Sequence, residues 1–155
     1  YLAGGGTPNL PAATGVLSGL QVTTTRADLA RAAFEGVVCG LLDGLDALGA
    51  AGVTTDAGRL VLLGGGSRSP AYPSIVADLA GRAVTVAAEG ETVATDACAQ
   101  AAPALGGTTP DAGIGAWEPA PDHGVQPDTS VPAPELRTAY GTARNGLLDA
   151  AAPGC

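Results

Sequence analysis

Residues Arg59 to Gly81 read RLVLLGGGSRSPAYPSIVADLAG, and this stretch decides the fold. Leu60, Val61, Leu62 and Leu63 form a short apolar run, so a buried strand is expected over Arg59–Leu63. Gly64, Gly65 and Gly66 follow it, and glycine lets backbone turn sharply with no Cβ in the way. Ser69 is placed to cap a helix that has Pro70 at its first position, and Pro73 still falls in the first turn. Ile75, Val76, Leu79 and Ala80 give that helix one apolar face, and Gly81 stops it. Strand, glycine turn and helix N-terminus make a design that can face a phosphate or a nucleotide, because the first helical N–H groups have no partner within the helix. Many α/β proteins carry the same turn with no ligand in it.

Upstream, Tyr1–Gly19 is rich in glycine, proline and small polar residues and reads as a loop, with a short strand expected over Gly15–Leu20. Thr25 precedes Asp28 by three residues, a capping-box spacing that opens a helix over Thr25–Leu48. Phe34, Val37, Val38, Leu41, Leu45 and Leu48 recur at helical intervals and form one apolar stripe. Arg31 and Glu35 sit one turn apart on the polar side. Gly36, Gly40 and Gly44 predict close packing on a neighbour, and Gly49 and Gly52 end the helix.

Downstream, Ala83–Val86 is expected as a second strand and Glu89–Glu91 as a turn. Thr92–Ala102 is expected as a helix ended by Pro103. Gly106–Pro134 is dense in Gly, Pro, Asp and Thr and reads as a surface loop pinned by Trp117, with His123 solvated between Asp122 and Gly124. Glu135–Ala152 closes the chain as a helix through Leu136, Tyr140, Ala143 and Leu147, with Asn145-Gly146 as an interruption. Helix, strand, helix, strand, helix is the order of an α/β layered domain. It divides into an entry segment (1–24), an α/β core (25–105), a loop (106–134) and the closing helix (135–152).

The chain has 155 residues, a size for one domain. Hydrophobic residues make up 46% and charged residues 14%, enough for a core, but aromatics are only 3%, so that core is aliphatic. The net charge of −8 argues against a nucleic-acid surface. All seven cations are Arg, which excludes a phosphate-binding or Schiff-base lysine. Three Cys at Cys39, Cys98 and Cys155 and one His indicate neither a disulfide framework nor a zinc site, and a reducing, cytoplasmic setting is expected. No apolar run is long enough to span a membrane. The chain has no Met, so it is read as a piece of a larger protein.

Four blocks in order carry a family resemblance. GGGTPNLPAATGVLSGL at Gly4–Leu20 resembles the loop after the catalytic core in FGGY-family carbohydrate kinases of the xylulokinase type. TTRADLARAAFEGVVCGLLDGLDAL at Thr24–Leu48 resembles the helix that follows. LLGGGSRSPAYPSIVADLAGRAVTV at Leu62–Val86 resembles the family's adenosine motif, and ETVATDACAQAAPAL at Glu91–Leu105 resembles its next helix. The resemblance implies the C-terminal domain of a sugar kinase with a ribonuclease H-like, actin/hexokinase-type fold, helices packed on a small mixed sheet. It implies that this half holds ATP or ADP with Mg²⁺. A missing N-terminal domain would hold most of the sugar, D-xylulose or another ketopentose, and supply the catalytic aspartate. Carried over, Gly64, Gly65, Gly66, Ser67 and Ser69 are the candidate nucleotide-binding residues: the glycines for backbone approach, the serines for hydroxyl and amide contacts. Arg68 is read as pointing to solvent. Thr7, Pro8 and Asn9 match a supporting loop near the cleft. No catalytic or metal-ligating residue is assigned. A homodimer is compatible with the sequence.

The sequence departs from the family pattern at Gly5, Gly6, Ala12, Pro73 and Asp96. A carboxylate at Asp96 would repel ATP unless Mg²⁺ or an Arg compensates. Two other readings stay open. Gly64-x-Gly66-x-x-Ser69 after a strand, with Glu89 beyond the next strand, also fits a dinucleotide-binding unit. A degenerate kinase domain that acts by interaction fits as well, since no nucleophile–base pair is visible.

Overall fold

The computed structural model describes residues 14–88, 92–106 and 121–151. Helix α1 spans Arg26–Ala50, strand β1 Leu60–Leu62, a 3₁₀ turn Gly65–Arg68, helix α2 Ala71–Ala80 and strand β2 Val84–Ala87. Helix α3 spans Thr92–Gly106, strand β3 Pro121–Val125 and helix α4 Ala133–Ala151. The three strands form one sheet in the order β1-β2-β3. β1 and β2 are parallel, with Leu60 beside Val84 and Leu62 beside Val86. β3 is antiparallel to β2, with Val84 opposite Val125 and Val86 opposite His123. The expected layering of helices on a small mixed sheet is what the structure has.

α1 begins as its sequence predicts. The Thr25 N–H donates to Asp28 Oδ2 at 2.8 Å and the Asp28 N–H to Thr25 Oγ1 at 3.2 Å, a complete capping box. The core lies where α1, α2 and β2 meet: Val38, Cys39 and Leu42 from α1, Ile75, Val76, Ala77 and Leu79 from α2, Val84 and Val86 from β2. Each large aliphatic side chain buried there contributes about 1.5–3 kcal/mol. The Phe34 and Tyr72 rings add a tilted contact between the two helices at 6.3 Å. Behind them α4 is tied to α1 by Arg137, which reaches Asp46 at 2.7 Å, and by an ion pair of Arg144 with Asp43. Gly40 lies under the Tyr140 hydroxyl, where an added Cβ would come within 3.3 Å, a close approach of α4 to α1.

Several expectations need correction. The stripe on α1 is rotated: Cys39 and Leu42 are buried, whereas Leu41 and Leu48 are 58% and 52% exposed. α2 and α4 press on one edge of that stripe and leave the other edge open. β1 is not a buried strand but half-exposed, with Val61 outward, because it forms an edge of the described sheet. Gly15–Leu20 forms no strand. The segment expected as a loop contains β3, because Pro121 can open a strand on a sheet edge. α3 runs past Pro103 to Gly106, and α4 runs through Asn145-Gly146 without a break. Trp117 and the Glu89–Glu91 turn lie outside the described residues.

Candidate functional site

Both parallel strands end on the same side of the sheet. There the chain leaves β1 through Gly64, whose φ of +85° and ψ of −175° suit glycine alone. It winds into the 3₁₀ turn and enters α2. β2 ends beside it at Ala87 and Ala88, and β3 starts beyond β2. The three chain segments enclose an open cavity of about 370 Å³, a volume in the range of small-ligand sites. A crevice outside the carboxyl ends of parallel strands is where α/β sheets place ligands.

Gly64, Ser67 and Ser69 line this cavity, as do Arg68, Pro70 and Pro73 from the turn and helix. Val86, Ala87 and Ala88 form the floor, and Asp122, His123 and Val125 the far wall. Gly65 and Gly66 sit in the 3₁₀ turn behind the lining, with Gly66 against the Tyr72 ring. The structure thus gathers three of the five candidate residues on the cavity and adds residues from β2 and β3.

Two details change the chemistry expected of the turn. The serine amides are occupied inside it: Ser67 N–H donates to Gly64 O and Ser69 N–H to Gly66 O, each at 3.1 Å. The Ser67 hydroxyl also donates to Gly64 O, at 2.6 Å. The serines therefore shape the turn and do not offer the amide contacts expected of them. Ser69 also makes no side-chain cap. Pro70 is the N-cap of α2, and the Ser69 carbonyl accepts from the Tyr72 N–H at 3.3 Å. Pro70 and Pro73 carry no N–H, so the start of α2 is poor in donors for an anion. The cavity instead mixes Pro70, Pro73, Val86 and Ala87 with Ser67, Ser69, Asp122 and His123, a composition for a flat ring with polar edges.

His123 is exposed, as the sequence predicts, but it stands on β3 and not in a loop. It lines the cavity, and its Nδ1 lies 2.9 Å from Asp122 Oδ2. Its place follows from register. It pairs with Val86, so both side chains share one sheet face, the face covered by α2. The local sequence Pro121-Asp122-His123-Gly124 has little strand propensity, and the pairing partner comes from elsewhere in the chain. Arg68, read as solvent-facing, is exposed at the cavity mouth. Thr7, Pro8, Asn9, Gly5, Gly6, Ala12 and Glu89 lie outside the described residues, and Asp96 falls on α3. Cys39 is buried and free, and burial pushes its thiol above the usual range.

Comparison with known proteins places this geometry in a family. The model of the C-terminal domain of the FGGY family of carbohydrate kinases matches residues 1–105. Xylulose kinase from Streptomyces rubiginosus is 43% identical over 123 residues, covering 77% of this chain and 25% of that protein. Xylulose kinase from Streptomyces coelicolor is 41% identical over 120 residues, with the same coverage. The chain therefore spans about a quarter of the length of these relatives. Among solved structures, xylulose kinase from Bifidobacterium adolescentis superposes with a TM-score of 0.65 at 36% identity, over 89% of this chain and 26% of that one. Xylulose kinase from Rhodospirillum rubrum, at 22% identity and a TM-score of 0.66 over 90% of this chain and 28% of that one, shares the fold. The fold is of the actin/hexokinase type. The chain belongs to the FGGY family of carbohydrate kinases and carries its C-terminal domain.

Proposed function

We propose that this chain is the nucleotide-holding half of a sugar kinase that transfers the γ-phosphoryl group of ATP to a ketopentose, D-xylulose in the first instance. The observation that carries this is the cavity at the carboxyl ends of β1 and β2, entered through Gly64, in a chain of a carbohydrate kinase family. Its apolar lining residues suit the faces of the adenine ring and its polar ones the ribose and the ring edge. The sugar and the catalytic base belong to the other lobe, so this chain alone does not transfer phosphate. Candidate contacts from the turn are Gly64, Ser67 and Ser69. Gly65 and Gly66 give the turn its shape.

Among the described residues no group of three or more His, Cys, Asp or Glu is placed to hold a metal ion. Mg²⁺ commonly takes one or two carboxylates together with substrate phosphates, so it would arrive on the nucleotide. When bound, it neutralises phosphate charge during transfer. Closure of two lobes would bring the γ-phosphate to the sugar hydroxyl and exclude water.

The test is a melting titration with MgATP and MgADP, with and without the N-terminal part of a xylulose kinase supplied in trans. Stabilisation of the reassembled protein, with phosphorylation of D-xylulose, supports the reading. If neither nucleotide shifts the melting of the reassembled protein, the reading fails.

A further inference from the structure

We propose that His123 reads the base of the nucleotide and selects adenine over guanine. The inference rests on the reading of the cavity as a nucleotide site and deepens it.

Three observations carry it. First, the register with Val86 puts His123 on the cavity wall across the end of β2 from the Gly64 turn. A ring lying against Pro70, Pro73, Val86 and Ala87 would present its edge to that wall. Second, His123 Nδ1 lies 2.9 Å from Asp122 Oδ2. A carboxylate only accepts hydrogen bonds, so Nδ1 carries the proton and donates to it. Nε2 of the neutral ring is then left with a lone pair. Third, backbone donors are few at the α2 entrance, where Pro70 and Pro73 stand, and Arg68 at the mouth can meet the phosphates of any nucleotide, so selectivity falls to the base.

The chemistry of discrimination follows. The six-position of adenine carries an amino group, a donor that an imidazole lone pair accepts. Guanine carries a carbonyl oxygen there, and two facing lone pairs repel. Asp122 is the positioning residue: it fixes the tautomer that makes Nε2 an acceptor.

The experiment measures ADP and GDP affinities on the complete chain by calorimetry, alone and reassembled with a kinase N-terminal part. Wild type is expected to prefer ADP by about tenfold, the scale of one hydrogen bond made and one lone-pair clash avoided. His123→Ala should bring the two affinities within about twofold. His123→Arg, a donor only, should move the preference towards GDP. Asp122→Asn leaves the ring in place but frees the tautomer, and should lower the preference several-fold. If ADP binds and the ratio is unchanged in His123→Ala, the assignment of His123 is overturned and the site reading stands. If neither nucleotide binds in either form, the site reading falls and the assignment falls with it.

Discussion

At the scale of the residue, Gly64 and Asp28 show how one side chain, or the lack of one, is set by backbone geometry. A Cβ added at Gly64 would meet nothing within 4 Å, so space is free and only the dihedral angles forbid a side chain. Gly64→Ala should cost about 1–3 kcal/mol in urea unfolding and weaken ADP binding more than an alanine at exposed Gly65 does. Asp28 receives the Thr25 N–H and hydroxyl, in that order of effect, which hold its carboxyl below the ordinary aspartate range. A carboxylate lowered in the folded state favours folding when ionised. The capping box thus contributes at neutral pH and is lost as the pH falls below about 4. A melting curve from pH 7 to pH 3 should drop less steeply in Asp28→Asn than in wild type. Asp128, held down by the Ser130 hydroxyl and N–H, acts in the same window. Thr25, Asp28 and Gly64 were legible in the sequence because a cap or a left-handed turn is decided within a few residues. His123 was not, because its place depends on a strand pairing with residues nearly forty positions earlier.

At the scale of the element, α1 separates what periodicity records from what it omits. Spacing shows that Leu41 and Leu42 both lie near an apolar face, but not which neighbour presses on which edge. In the structure Leu42 is 5% exposed and Leu41 58%. Leu42→Ala should therefore cost about 2–5 kcal/mol in urea unfolding, and Leu41→Ala well under half of that. Equal losses would mean that the outer edge of α1 is covered in solution. β1, α2 and β2 were read to within a residue or two, since apolar runs between glycines leave little choice. β3 escaped because its five residues hold one proline, one glycine and a single β-branched side chain. The proline in α3 and the Asn145-Gly146 pair in α4 misled in the opposite direction. A breaker weakens a helix by a few kcal/mol at most, and turns on both sides can outweigh it.

At the scale of the whole molecule, the family and layered fold were legible because four blocks in a fixed order leave few alternatives. Of the candidate cavity's lining, only the side of the glycine turn was legible. An apolar groove of about 360 Å³ also runs between α1 and β1, lined by Leu41, Leu45, Leu48, Leu60 and Leu62. No local pattern could tell that this part of the stripe lies open among the described residues. The entrance of α2 bears on how two lobes would divide their labour. Pro70 and Pro73 at that threshold leave Arg68, exposed at the cavity mouth, as the cation among the lining residues that a triphosphate tail can meet. Arg68→Ala should then let plain adenosine compete for this chain almost as well as ATP, and should flatten the change in ATP affinity between low and high salt. Beyond that one guanidinium, the anionic end of the substrate would be the other lobe's responsibility.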